Sequence, residues 1–357
     1  MKNLLYVLTL LLGLLILHGC QKDEIIGENV SDLLWLENKG AQMPILVEGN
    51  TASKTFILIL HGGPGGSAKV YNETYKALSD PLEKRYAVAY WDQRQAGNTR
   101  GHGKLDDLNV ETVVGDLELV VGLLRYRYGQ DISIFLFGHS WGGYLGNAFL
   151  AKNENQAQVK GWIDVAGAHN IWKLTVDGVE LMKTVAQDRI DANSSRKKSW
   201  EGIRDFADEV DTSVPDEDVT LKVNAKAQEA TGLAVSDDLI GSHSPSGKEF
   251  LNIFFSDYSL ISQFTNTLQT ARSDLWQEIL DAPLTGKLHD IETPALLIWG
   301  EYDFVVSPTL GQEMLDSLGT PDEDKSLHLF NNAGHSPMDA DIGKFVDLII
   351  DFVEKYK

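Results

Sequence analysis

Hydrophobic positions along this chain fall into short runs bounded by turn residues, and these runs alternate with longer stretches of helical spacing. Six short apolar runs read as strands, the ones at 54–60 and 132–137 as buried strands. They are 54–60 (KTFILIL), 86–91 (YAVAYW), 132–137 (ISIFLF), 159–165 (VKGWIDV), 294–299 (PALLIW) and 326–330 (SLHLF). Residues 71–82, 111–128, 309–318 and 342–356 read as helices; in 111–128, Val113, Leu117, Val120, Val121 and Leu124 share one face. A further helical pattern begins at Tyr144, just past the 132–137 strand. Near the start, apolar residues 33–36 and 43–47 flank Asn38-Lys39-Gly40, which reads as a hairpin. Strand and helix in regular alternation predict an α/β fold, a mostly parallel sheet with helices on both faces.

The rhythm breaks between residues 168 and 290. That stretch is amphipathic and helix-like, with polar loops at 194–198 and 214–218 and no convincing strand. A helical insertion of this kind is expected to form a cap over the mouth of a site. The organisation is therefore a core of residues 32–167 and 291–357, a cap at 168–290, and a polar tether at 20–31. Neither internal repeats nor low-complexity tracts occur.

Chemistry gathers where strands end. After the 132–137 strand comes Gly138-His139-Ser140-Trp141-Gly142-Gly143, a Gly-x-Ser-x-Gly pattern with a strand before it and a helix after it. That context bends the chain so sharply that the serine is strained and its hydroxyl is presented outward. Glycines at 138 and 142 let strand and helix backbones approach. A serine hydroxyl is a weak nucleophile near neutral pH and needs a base, which in turn needs an orienting acid. Gly300-Glu301-Tyr302-Asp303 and Asn332-Ala333-Gly334-His335 follow two later strands. Loops at the carboxyl ends of parallel strands converge on one edge of the sheet. Ser140 is thus expected as nucleophile, His335 as general base, and Asp303 as its orienting acid in preference to Glu301.

The 54–60 strand runs into His61-Gly62-Gly63-Pro64-Gly65-Gly66. This loop lacks the Gly-Lys-Ser/Thr of a P-loop and the spacing of a dinucleotide fingerprint. Beside a serine nucleophile its expected use is to aim a backbone N–H at an oxyanion. Gly63 is expected to supply one donor and Trp141, next after the nucleophile, the other; Pro64 has no N–H to give. His61 and His139 are expected to hold their loops by hydrogen bonds to backbone.

Composition then narrows the partners. Of 357 residues 43% are hydrophobic, and the net charge of −21 argues against nucleic acid as a ligand. A single cysteine, Cys20, excludes an intrachain disulfide and a cysteine-based metal cluster. No metal or other cofactor is implied. Met1-Lys2-Asn3 precedes an apolar run at 4–17 that is too short to span a bilayer comfortably. The run ends at Leu17-His18-Gly19-Cys20, which resembles a bacterial lipoprotein signal, although His18 stands where a small residue is usual. The resemblance implies that residues 1–19 are removed and that Cys20 carries a lipid. Gln21-Lys22-Asp23-Glu24 is similar to the acidic tag after that cysteine in surface-exposed lipoproteins. The expected place is outside the cytoplasm, held to a bacterial membrane, the outer one by preference.

Taken together, His61-Gly-Gly-Pro-Gly65, Trp91-Asp-Gln-Arg94, Gly138-His-Ser-Trp-Gly-Gly143, Trp299-Gly-Glu-Tyr-Asp303 and Gly334-His335 resemble the proline iminopeptidase branch of the α/β-hydrolase superfamily. The resemblance covers about residues 40–167 and 290–357. It implies an α/β-hydrolase fold and a serine aminopeptidase that removes an N-terminal residue, often proline, from small peptides. The chain departs from the family in two places. Gln95 follows Asp-Gln-Arg where the family has glycine. The cap carboxylates that hold the substrate's amino group in the family have no match here, although the cap is rich in acids such as Glu249 and Asp257. The competing reading is an esterase of small esters, because triad and oxyanion hole serve ester and amide alike. A binding protein on a retired hydrolase fold would be missing a triad member, and all three are present.

Overall fold

A computed structural model of the chain describes residues 25–101, 103–241, 265–266, 268–270 and 272–357. The expected signal, Cys20 and the acidic residues Glu249 and Asp257 lie outside the described residues. The sheet begins with an antiparallel hairpin of β1 (Val30–Asn38) and β2 (Ala41–Gly49), with Asn38 opposite Ala41. Its two-residue turn holds Lys39 at φ 47° and Gly40 at φ 78°, the left-handed pair that matches the twist of adjoining strands. Then follow β3 (Thr55–Leu60), β4 (Ala87–Trp91), the two-residue β5 (Arg100–Gly101), β6 (Ser133–His139), β7 (Gly161–Val165), β8 (Ala295–Gly300) and β9 (Lys325–Phe330). Among the described residues the strand order is β1-β2-β4-β3-β6-β7-β8-β9, with β5 paired onto β2. All neighbours from β4 to β9 are parallel. The order reverses between β3 and β6, the place where an open parallel sheet leaves a crevice for a ligand.

Strand residues alternate between two apolar layers. Leu58, Leu60, Leu136, Trp162 and Trp299 face helices Val110–Tyr128, Trp141–Leu150 and Pro308–Ser317. Ile57, Ile59, Phe135, Phe137 and Ile298 face Lys76–Glu83 and Ile342–Tyr356. Between β7 and β8 the chain forms helices Ile171–Asp191, Lys197–Glu209 and Glu217–Ser236, with a separate core around Met182, Trp200, Ile203 and Ala227. The helix Leu275–Asp281 and the turn Thr285–Asp290 belong elsewhere: Leu275, Ile279, Leu284 and Leu288 join the first sheet layer. By packing, the core therefore resumes before residue 291. Among the described residues no helix is long and apolar enough to cross a membrane.

Three local expectations need correction. The tether does not run free to residue 31. Thr51 Oγ1 bonds the Ile25 carbonyl at 2.9 Å and the Gly27 N–H at 3.0 Å, and β1 starts at Val30. The single helix expected over 71–82 is two, Lys69–Glu73 and Lys76–Glu83, with Tyr75 between them at φ −108° and ψ 60°. The Tyr75 side chain meets Ser336 and Asp339 of a distant loop. The helix expected from Tyr144 starts at Trp141, because Ser140 itself is its N-cap.

Candidate active site

Ser140 sits between β6 and the helix Trp141–Leu150 at φ 58° and ψ −116°, a strained conformation for a residue with a side chain. Backbone hydrogen bonds enforce it. Ser140 N–H donates to the Val165 carbonyl at 3.1 Å, and its carbonyl accepts from Gly143 at 2.9 Å and Ala168 at 3.2 Å. The glycines are sterically required. A Cβ at 142 would lie 1.9 Å from the Leu60 carbonyl oxygen, and one at 138 would lie 2.4 Å from the Trp162 ring.

Because β3 pairs with β6, Leu60 lies beside Gly138, and the glycine loop after β3 leaves the sheet next to the serine. A Cβ on Gly62 would come 3.3 Å from Ser140 Cβ. Gly63 takes φ 132° and precedes a cis bond to Pro64. Its position admits no side chain, since a Cβ there would lie 2.8 Å from the N–H groups of Gly65 and Gly66. Gln93 joins this loop to the elbow. Its Oε1 accepts from Trp141 Nε1 at 2.8 Å, its Nε2 donates to the His61 carbonyl at 3.3 Å, and its N–H donates to His61 Nε2 at 3.2 Å. His61 Nδ1 therefore carries the proton and gives it to the Gly62 carbonyl at 2.8 Å. The neighbouring Asp92 accepts from Ser67 Oγ, Ala68 N–H and Asn98 N–H. Arg94 makes a buried fork with Asp116 at 2.6 and 2.8 Å. Gln95, where the resembled family has glycine, stands at φ 51°. The backbone demands the left-handed region, and Gln95 is held there by its Nε2 bond to the Gly103 carbonyl at 3.0 Å.

The two later strand ends meet the elbow from the other side. Asp303 is buried, and its Oδ1 accepts the N–H groups of Val305 at 2.9 Å and Val306 at 2.8 Å. Its Oδ2 lies 2.9 Å from His335 Nδ1. Among the described residues Glu301 engages only its backbone N–H, on the Phe330 carbonyl. His335, Ser140 and Gly63 line one cavity. His139 bonds backbone as expected, but on another strand's loop. Its Nε2 lies 2.8 Å from the His335 carbonyl oxygen and its Nδ1 2.6 Å from the Tyr71 hydroxyl. Burial, with His335 adding to it, pushes His139 down to about 3, so it is neutral. Beneath the elbow, burial pushes the Asp164 carboxyl up to about 8. Gly143 and Gly167 leave room for that carboxyl: a Cβ at 167 would lie 1.8 Å from its Oδ1.

The cavity measures about 400 Å³, within the range that takes a small organic ligand. Trp141 and Tyr144 (rings stacked at 5.6 Å and 11°) form one wall. Ile171, Leu174, Trp276 and Ile279 come from the segment between β7 and β8, as does a row of neutral polar groups, Thr220, Asn224 and Gln228. That row was not legible in sequence: four-residue spacing marks one helix face without saying what it faces.

Comparisons with known proteins place the fold. A family model for the α/β hydrolase fold matches residues 55–341. A proline iminopeptidase of Xylella fastidiosa is 32% identical over 111 residues, a match spanning 30% of this chain and 31% of that enzyme's length. A probable aminopeptidase of Bacillus subtilis is 22% identical over 302 residues, covering 82% of this chain and 87% of that protein. The crystal structure of a proline iminopeptidase from Mycobacterium smegmatis superposes with a TM-score of 0.60 at 16% identity, over 91% of this chain and 98% of that one. With the family model matched over residues 55–341, most of its length, the chain belongs to the α/β-hydrolase fold family.

Proposed function

We propose that the protein is a serine hydrolase of the proline iminopeptidase type, releasing N-terminal residues from peptides through an acyl-enzyme on Ser140. The observation that carries this reading is the Asp303–His335 contact beside a serine held at φ 58°. With Oδ1 of Asp303 occupied by two N–H groups, Oδ2 fixes the proton on His335 Nδ1 and leaves Nε2 as the base. His335 takes the Ser140 proton as the oxygen attacks the substrate carbonyl. It returns that proton to the leaving amine, and water repeats the sequence on the acyl-enzyme. Negative charge on the carbonyl oxygen is met by the N–H groups of Gly63 and Trp141, each worth about 3 kcal/mol in the transition state.

A second reading, an esterase of small esters, is favoured by one observation: among the described residues the cavity lining carries no carboxylate. An N-terminal ammonium would be read most simply by one. Turnover of a proline anilide, its N-blocked counterpart and a short-chain nitrophenyl ester separates the two readings. Cleavage confined to the free-amine anilide supports the aminopeptidase; ester turnover with no anilide cleavage refutes it. Ser140→Ala should abolish both turnover and labelling by a fluorophosphonate, and undiminished labelling would remove Ser140 as nucleophile. The protein is further proposed to be lipid-anchored through Cys20. In that case Cys20→Ala should move it from the membrane to the soluble fraction.

A further inference from the structure

His335 stands on a loop between β9 and the single turn Pro337–Asp339. Asp303 fixes one point of it, the ring nitrogen Nδ1. A ring held at a single hydrogen bond can still pivot, and pivoting would change where Nε2 points in the cavity it shares with Ser140. The second point of support is the His335 backbone. Its carbonyl oxygen can only accept, so the His139 Nε2 atom at 2.8 Å must be the donor. That fixes the His139 tautomer and leaves Nδ1 as an acceptor for the Tyr71 hydroxyl at 2.6 Å. The Gly62 N–H faces the same hydroxyl, so the chain of contacts reaches the glycine loop beside Ser140. The His139 ring also packs against the His335 ring, centroids 4.9 Å apart and tilted by 36°. One turn along, Tyr75 holds Ser336 and Asp339 of the same loop.

We propose that His139, oriented by Tyr71, is a positioning residue that clamps the backbone of the general base His335 and thereby aims its Nε2 at Ser140. The inference rests on the serine-hydrolase reading and adds a residue that takes no proton itself. Each bond in the relay has one direction, and neither Tyr71 nor His139 changes charge in the working range. The clamp therefore holds its geometry while His335 gains and loses its proton.

Three substitutions at one position test this. His139→Gln keeps a donor at the reach of Nε2 and loses the acceptor at Nδ1. His139→Asn keeps a group at Nδ1 and loses the donor, and His139→Phe keeps the ring alone. Kinetics on the nitrophenyl ester should show kcat reduced about 100-fold in the Phe and Asn variants with KM unchanged, the scale expected for a misaimed group. His139→Gln should recover most of the rate. The downfield proton resonance of the His335 Nδ1–H bond to Asp303 should broaden in the Phe and Asn variants and persist in Gln. Tyr71→Phe should fall between, and circular dichroism melts check that each variant is folded. Wild-type kcat in His139→Phe would overturn the proposal, as would a loss that Gln does not rescue or one that appears in KM. A wild-type enzyme that no fluorophosphonate labels would instead remove the serine-hydrolase reading beneath it.

Discussion

Replacing Asp303 with asparagine tests the site most sharply, because the structure decides which way the new side chain must point. Asp303 Oδ1 receives two backbone N–H groups at 2.9 and 2.8 Å, and Oδ2 receives the His335 Nδ1–H at 2.9 Å. An asparagine has one oxygen for these two sides. Turning its NH2 toward Val305 and Val306 would lose two hydrogen bonds to a buried acceptor, about 3 kcal/mol or more together, and would crowd donors against donors. Turning its NH2 toward His335 costs little, because the imidazole can answer by moving its proton from Nδ1 to Nε2. The second arrangement wins. In the proposed mechanism Nε2 then presents a proton to Ser140 in place of a lone pair, so the base would be lost while the fold stands. A wrong tautomer of this kind lowers kcat by about 10⁴-fold, equivalent to about 5.5 kcal/mol. Burst and steady-state kinetics on the nitrophenyl ester measure it, with a melting curve as the folding control. Glu301→Gln should stay within about twofold of wild type, as a substitution away from bonded groups does. An Asp303→Asn enzyme with more than about a tenth of wild-type kcat would refute the tautomer argument, and a large loss in Glu301→Gln would exchange the two roles.

Other outcomes follow from steric and ionic features of the same region. Gly142→Ala puts a methyl 1.9 Å from a main-chain oxygen, so it should destabilise the fold by about 4 kcal/mol or more. Gly115→Ala, in the helix Val110–Tyr128 with nothing within 4 Å of the new carbon, should stabilise by about 0.5–1 kcal/mol; denaturant midpoints that fail to separate the two would contradict the packing. Gln93→Leu removes the acceptor of Trp141 Nε1 and should lower kcat about 10- to 100-fold by loosening one oxyanion donor; an unchanged kcat would sever Gln93 from the hole. Asp164, raised from an ordinary 3.8 to about 8, stays protonated in the folded state after it has ionised in the unfolded one. Its contribution is complete below pH 4 and lost as pH rises through 8. Melting temperatures followed from pH 5 to 9 should therefore fall in the wild type relative to Asp164→Asn, and parallel curves would mean that the carboxyl is not perturbed.

The strands were legible because buried parallel strands are unbroken apolar runs, and KTFILIL or PALLIW can hardly be anything else. That Ser140, Asp303 and His335 meet was legible for a related reason: each follows such a run, and strand ends share an edge. The helix of the elbow was placed late because Gly142 and Gly143 weaken helix propensity locally, while the contact with Leu60 demands glycine whatever the propensity. Tyr75 meets Ser336 and Asp339, more than 250 positions further on, and no local pattern marks that meeting. The same holds for Tyr71, whose partner His139 is 68 residues away. Short-range pattern reveals what a residue is spaced to do within its own element. It is silent on a hydroxyl whose meaning comes from another strand's end.

The cavity is assembled from two very differently encoded halves. Its reactive floor draws on four separate loops, those carrying Gly63, Ser140, Val305 and His335, so no short exchange of sequence could rebuild it at once. Its remaining wall, from Ile171 through Gln228 to Ile279, comes from one uninterrupted stretch between two neighbouring strands. Within that stretch, the helices from Ile171 to Ser236 pack on a core of their own, so exchanging them would change most of the wall, whereas Leu275–Asp281 is tied into the sheet layer.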